Sequence, residues 1–415
     1  MLSDVDRRRR DGMEGKKFLR SIQLENVLSF GREMEELALE PLNVLIGPHG
    51  VGKSNLLAAI GVLAAAPRDL ASAIRDGGGL REWLPQGLWN GGPARIMAKL
   101  ERPGREKLAY ELAFTEADSR LKVVREALLD ASRETDEDAE AWAFFSREGL
   151  RLFVRSVSDT WPAFVSEAAP ILDPRWGDVG PDESVLSRIR DAHLYPQLTF
   201  ASDSFQKIRL FRDWSFGPKS VIRHPQRFDL PDGFLSEDGS NLGLVLDNLS
   251  RLPATRNLLL EKLKILSDDI EDLETIAQGG LVRIHLRESG GKSIPASRLS
   301  DGTLRYLCLL AILCHPVPPP LICIEAPELG IHPDLLPAIA ELLVDASTRT
   351  QLIVTTHSET LISALSEVPE AVLVCEKSSK GTRLRRLAAS GLEKWLDDYK
   401  LGEVWRMGEI GGNRW

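Results

Sequence analysis

The chain has 415 residues, 43% of them hydrophobic, with 52 basic and 61 acidic side chains and a net charge of −9. That length exceeds what one core usually fills, so two lobes are expected. No uncharged apolar run approaches the roughly 18 to 20 residues of a membrane span, and the acidic balance argues against a surface built wholly for nucleic acid.

The opening, residues 1–17, is polar and carries Arg7-Arg8-Arg9-Arg10 with no apolar region after it, which predicts a flexible N-terminus, no secretory signal and a cytoplasmic address. Phe18–Glu25 alternates as a strand, and Leu37–Leu39 and Asn43–Ile46 predict two more. A helix from Lys53 runs to Ala66 and stops at Pro67. Beyond Gly77-Gly78-Gly79, the short alternating runs Ala94–Leu100, Lys107–Phe114 and Leu121–Arg125 read as an antiparallel meander. From Asp130 to Pro231 come an acidic run, Glu134–Glu140, and the segments Trp161-Pro162, Pro174-Arg175-Trp176 and Arg212-Asp213-Trp214, which either dock a partner or pack an inserted arm. No heptad pattern is sustained, which excludes a long coiled coil. Leu242–Leu252 and Asn257–Leu266 have helical spacing and Leu281–Leu286 alternates as a strand. From Ile294 strands and helices alternate quickly: helix Thr303–Leu313, strand Leu321–Ile324, helix Asp334–Val344, strand Leu352–Thr355, helix Ser358–Leu365, strand Val372–Cys375. Alternation of this kind builds a parallel sheet covered by helices, hence an α/β fold. Cys308, Cys314, Cys323 and Cys375 sit in these apolar stretches without metal-ligand spacing and read as buried small hydrophobes, not a zinc site.

Gly47-Pro48-His49-Gly50-Val51-Gly52-Lys53-Ser54, followed by Asn55, lies between the apolar run Val44-Leu45-Ile46 and a helix and reads as a phosphate-binding P-loop. Glycines let successive N–H groups point inward, Lys53 reaches the β- and γ-phosphates, and Ser54 is placed to ligate Mg²⁺. A second carboxylate at a strand end is then needed for the metal, and Glu325 after Leu321–Ile324 is the candidate. Leu299-Ser300-Asp301-Gly302-Thr303 opens a helix, and reads either as an N-cap alone or as an anion contact. His357, in Val354-Thr355-Thr356-His357-Ser358, stands just beyond a strand end, in the crevice where open α/β sheets bind ligands.

In this order, the P-loop, Ser300–Thr303, Ile324-Glu325-Ala326-Pro327-Glu328 with His332-Pro333, and Thr355–Ser358 resemble the ABC-type ATPases of the RecF, SMC and OLD group. The chain looks closest to RecF-like bacterial ATPases without a long coiled coil; Leu24–Gly31, Arg212–Trp214, Asp238–Leu242 and the tail Gly411–Trp415 also look like theirs. The resemblance implies a P-loop ABC-type ATPase head with an antiparallel β lobe and an inserted α/β arm. Its divisions would be an N-terminal lobe over 18–129, the arm or lid over 130–275, a C-terminal lobe over 276–390 and a tail over 391–415. It implies ATP and Mg²⁺ as cofactors and a homodimer, or a higher oligomer, in which two protomers sandwich two ATP molecules. Ser300 and Gly302 would then contact the γ-phosphate in trans, and His357 would sense it.

One departure concerns the slot after Glu325, where the family usually places a second acid that orients the attacking water; here it holds Ala326. Three readings follow: Glu328 substitutes as the base, ATP turns over very slowly, or the chain is a variant that traps the ATP state. A basic residue common before the serine of the N-terminal turn is Leu28 here, and Gln86 is the nearest candidate for a glutamine lid. The function expected is a dimeric ATPase in DNA repair or anti-phage defence, the alternative a nucleotide-sensing scaffold holding a Toprim-type nuclease or other effector. A transporter subunit is disfavoured by the large insertion between Ser54 and Ser300. DNA contact would fall on Arg7–Arg10 with Lys16-Lys17, or on Lys380–Arg386.

Overall fold

A computed structural model describes residues 15–32, 34–84, 91–133, 143–149, 151–154, 179–189 and 191–412. Arg7–Arg10, Gln86, Glu134–Glu140, Trp161-Pro162, Pro174–Trp176 and Asn413–Trp415 lie outside these residues. The strands run β1 (Leu19–Glu25), β2 (Leu37–Ala38), β3 (Leu42–Ile46), β4 (Ala94–Leu100), β5 (Leu108–Ala117), β6 (Arg120–Asp130), β7 (Ala143–Glu148) and β8 (Arg151–Val154). After them come β9 (Arg209–Phe211), β10 (Gln226–Arg227), β11 (Ile270–Gln278), β12 (Leu281–Glu288) and β13 (Lys292–Pro295). The C-terminal third adds β14 (Leu321–Glu325), β15 (Gln351–Thr355), β16 (Val372–Ser378) and β17 (Gly381–Arg386).

The central sheet has the order β17-β16-β3-β15-β14-β9, parallel except for the edge strand β17. Its strands are near-continuous apolar runs because both faces are covered; all five residues of β3 are buried. The period of two sorts them between two cores. Leu42, Val44, Ile46, Ile322, Ile324, Leu352, Val354, Val372 and Val374 join the core made with helices Asp301–Leu313 and Leu336–Ser347. Leu45, Leu321, Cys323, Ile353, Leu373 and Cys375 face the other core, with Leu56, Leu57 and Ile60 of helix Lys53–Ala65. The helix after the P-loop and the helix after Ser300 therefore cover opposite faces of one sheet.

The second core continues into a seven-stranded antiparallel sheet, β2-β1-β4-β5-β6-β7-β8, the expected three-strand meander extended by β7 and β8 on one side and by β1 and β2 on the other. Gln351, wholly buried, ties it to the central sheet: its Oε1 accepts from the Leu19 N–H at 2.8 Å and its Nε2 donates to the Leu19 carbonyl at 2.8 Å. Buried Glu126 accepts from Tyr110 Oη at 2.8 Å, Ser184 Oγ at 2.6 Å and the Val185 N–H at 2.8 Å, which clips the segment after residue 179 onto the same sheet. A small sheet, β10-β12-β11 with β13 on β12, packs beside helices Leu242–Ser250 and Pro253–Leu266.

The expected divisions are redrawn by strand pairing. A boundary at 129/130 cuts the end of β6, whose partner β7 belongs to the N-terminal sheet. One at 275/276 cuts β11, which pairs along its length with β12. The three-residue strand β9, expected in the arm, is the edge of the central parallel sheet.

Candidate functional site

Three chain segments leave the central sheet at the same edge, after β3, β14 and β15, which lie side by side. Each carries one expected motif. After β3, Gly47 has φ 143°, Gly50 φ 73° and Gly52 φ 110°, conformations that only glycine adopts readily. Gly47 is also held close: a Cβ there would lie 2.5 Å from the Cys375 carbonyl oxygen. Lys53 opens the helix, is 6% exposed, and donates from Nζ to the Gly47 and Pro48 carbonyls at 2.7 and 2.8 Å. Burial lowers its ammonium pKa, while the nearby Glu328 and Glu325 carboxylates oppose the shift.

The turn Leu28-Ser29 reaches the loop even without a basic residue at 28. Leu28 has φ 54° and donates its N–H to the Trp83 carbonyl at 2.7 Å. Ser29 Oγ accepts from Asn55 Nδ2 at 2.8 Å and lies 2.7 Å from Thr382 Oγ1, which donates to the Val51 carbonyl at 2.6 Å. Behind the loop, Gly412 donates its N–H to Glu376 at 3.1 Å, and a Cβ on Gly412 would lie 3.6 Å from the Gly47 Cα. The tail is thus packed against the P-loop as far as Gly412.

Glu325 closes the gap from β14. Its Oε1 accepts from Ser54 Oγ, 271 residues away in sequence, and its Oε2 accepts from Arg212 Nε at 2.9 Å. Ala326 follows with φ 47°, left-handed, its N–H donating to the Thr355 carbonyl at 2.9 Å. Glu328 accepts the His357 N–H through Oε1 at 2.7 Å, and its buried Oε2 has no hydrogen-bond partner. The His357 ring stacks on His49 with centroids 4.0 Å apart. Although His357 is solvent-exposed, partial desolvation, with the charges of Lys53 and His49 adding to it, pushes its pKa down to about 4, so the ring is neutral at ordinary pH.

The Ser300 turn faces elsewhere. Ser300 Oγ caps its helix by accepting from the Thr303 N–H at 3.0 Å, and a Cβ on Gly302 would collide with the Gly330 carbonyl. Ser300 and Gly302 line a hollow with Leu266, Gly330, His332 and Pro333, and no P-loop residue borders it. Arg223 holds the turn through Asp301 and the Leu299 carbonyl. Buried Arg305, one turn further along the helix, donates to the Ala326 and Leu329 carbonyls at 3.2 and 2.8 Å, with Trp214 and Phe216 rings beside its guanidinium.

The residues present fit a nucleoside triphosphate with a divalent ion. Hydroxyl and carboxylate oxygens meet at Ser54 and Glu325, the hard-donor set that Mg²⁺ takes. Among the described residues no cluster of three or more His, Cys, Asp or Glu is arranged for a metal, so the ion's remaining ligands would be phosphate and water oxygens. A side chain at Gly50 would meet nothing within 4 Å, which leaves the loop's rim open.

Arg212, Thr382 and Arg305 escaped assignment from sequence. Arg212 follows a strand of three residues, too short to show alternation. Thr382 lies inside the stretch read as a basic patch, Lys380–Arg386. There, Arg385 donates to the Ile410 carbonyl at 2.7 Å and Arg386 to the Glu370 carbonyl at 2.8 Å and Asn43 Oδ1 at 2.7 Å, structural bonds within the fold.

A parallel core with P-loop, acidic strand end and histidine turn on adjacent strands, joined to an antiparallel lobe, is the fold of an SMC-type head domain. The chain belongs to the family described as "AAA domain, putative AbiEii toxin, Type IV TA system", whose profile matches residues 42–363. Among solved structures it is similar to an Smc head bound to the C-winged helix domain of ScpA, with TM-score 0.55 and 12% identity over 90% of this chain and 99% of that one. It is similar too to an Smc head with an extended coiled coil bound to the C-terminal domain of ScpA derived from Pyrococcus furiosus, with TM-score 0.52 and 11% identity over 92% and 99%. At such identities the likeness shows the fold alone. No curated protein matches the chain.

Proposed function

We propose that this protein is an ATP-gated head that binds ATP with Mg²⁺ at Gly47–Asn55 and dimerises head to head around two nucleotides. The contact of Ser54 with Glu325 carries the reading, because it unites the two metal-binding groups from opposite ends of the chain. Lys53 holds the β- and γ-phosphates, Ser54 and Glu325 hold the ion, and His357 senses the terminal phosphate. The hollow at Ser300 and Gly302, set apart from the P-loop, suits a contact to the nucleotide of a second copy, as RecF-like and OLD proteins make. Turnover is slow or absent because Ala326 fills the slot of the water-orienting acid, with Glu328 as the carboxylate that would substitute from two positions away.

The role proposed is DNA repair or anti-phage defence in the cytoplasm, the defence arm supported by the toxin–antitoxin wording of the family's description. Ala326 also favours a second reading, a scaffold that holds a Toprim-type nuclease or other effector in the ATP state without productive turnover. DNA binding that weakens with salt supports repair; an effector that co-purifies while DNA affinity is absent supports the scaffold. The test of the common core is mass in solution with and without ATP and Mg²⁺, beside Ser300→Arg. ATP should double the mass of the wild type, and the variant should bind ATP yet stay single. A wild type whose mass ignores ATP refutes the sandwich.

A further inference from the structure

Among the described residues Arg212 is the one guanidinium bonded to the Glu325 carboxylate, and most of its hydrogen-bonding capacity is unspent. β9 and β14 run parallel with Phe211 opposite Ile324, so the next pair in register is Arg212 and Glu325. Arg212 uses Nε alone, at 2.9 Å, on Glu325 Oε2; Nη1 and Nη2 make no hydrogen bond among the described residues, and a third of the side chain is exposed. Ser54 is on the other oxygen, so hydroxyl, carboxylate and guanidinium form one file at the sheet edge. A partly exposed ion pair adds little to stability. Its effect is to aim the fork: Glu325 fixes the Nε end and leaves two parallel N–H directions for an oxyanion, the geometry arginine offers to phosphate.

We infer that Arg212 reads the terminal phosphate of the nucleotide bound to its own chain, and so distinguishes triphosphate from diphosphate. This rests on the nucleotide reading proposed above. Lys53 is one cation for the β- and γ-phosphates, but two acids, Glu325 and Glu328, act on it electrostatically, and the γ-phosphate adds negative charge to theirs. A second fixed cation there meets that charge without waiting for a residue from another copy.

The test is equilibrium binding of fluorescent ATP and ADP to the full chain, in Mg²⁺ and in EDTA, for the wild type, Arg212→Ala and Arg212→Lys. Arg212→Ala should weaken ATP binding about tenfold or more, the loss of a charge-assisted pair, and shift ADP binding by less than about twofold. The ATP defect should persist in EDTA, since the contact is to phosphate. Arg212→Lys should fall between, because one ammonium cannot both hold Glu325 and offer a fork; this conservative variant also guards against misfolding of the alanine variant. Equal losses for the two nucleotides, no loss, or an ATP defect that vanishes in EDTA would each overturn the role of Arg212. A wild type that binds neither nucleotide instead removes the nucleotide reading, and this inference with it.

Discussion

Under the proposed function, replacing Ala326 with Glu should speed ATP hydrolysis. Ala326 is partly exposed and already left-handed at φ 47°, and its N–H and carbonyl are fixed by Thr355 and Arg305. Alanine and glutamate bear the same backbone strain there, so the exchange adds about zero from that source. The new carboxylate joins Glu325 and Glu328, a crowding of like charge that the buried Lys53 and the Arg212 guanidinium offset. A positioned general base is worth about 10²- to 10⁴-fold, which at 1.36 kcal/mol per tenfold is about 3 to 5 kcal/mol of barrier. Phosphate release under steady-state and single-turnover conditions measures it, with Glu328→Gln made alone and in combination. If Glu328 substitutes as base, Glu328→Gln abolishes the residual wild-type rate and leaves the Ala326→Glu rate high. Wild-type turnover of several per second, or no gain on Ala326→Glu, refutes the reasoning.

The loop's glycines should differ in a way their spacing does not foretell. Gly52→Ala meets both a φ of 110° and the hydroxyls of Thr382 and Ser29, so strain of about 1 to 2 kcal/mol and overpacking of about 1 to 3 kcal/mol combine; Gly50→Ala, with open space around it, meets the strain alone. Urea unfolding of the two variants should rank them in that order, and equal losses would contradict it. His357 sets a pH dependence: its folded pKa of about 4 lies below the ordinary 6.5, so the unfolded chain takes up the proton first. Its contribution is present above about pH 6.5, shrinks as pH falls through the interval and is lost below about 4. Denaturation midpoints at pH 7.5 and 4.5 should therefore fall further for the wild type than for His357→Gln, and parallel falls would refute this.

The parallel core was legible because its strands are long apolar runs with turn residues between them, and because β3, β14 and β15 each end on a motif residue or one position before it. Helix Leu336–Ser347 and strand Leu321–Glu325 differ from expectation only at their ends. The short strands were not legible: β9 has three residues, β8 four, and both owe their place to neighbours distant in the chain. In β11, the sequence Ile270-Glu271-Asp272-Leu273-Glu274 mixes acids with apolar residues, and its pairing with β12 supplies what propensity lacks. At the site, motif order pointed to Ser54 and Glu325 as one pair, and the structure brings the two side chains into contact. The stack of His49 on His357 and the Arg212 contact follow from register and crossing geometry, which leave no local pattern.

β3 sits between β15 and β16, so the strand that carries the phosphate loop has no hydrogen-bonded neighbour until the last quarter of the polypeptide exists. On a ribosome extending by about 5 to 20 residues per second, the roughly 300 residues between them keep Leu42–Ile46 waiting for about 15 to 60 s. A bare, mostly apolar segment of this kind is what holding chaperones capture, and nascent chains halted short of β15 should be bound by them and released once translation passes β16.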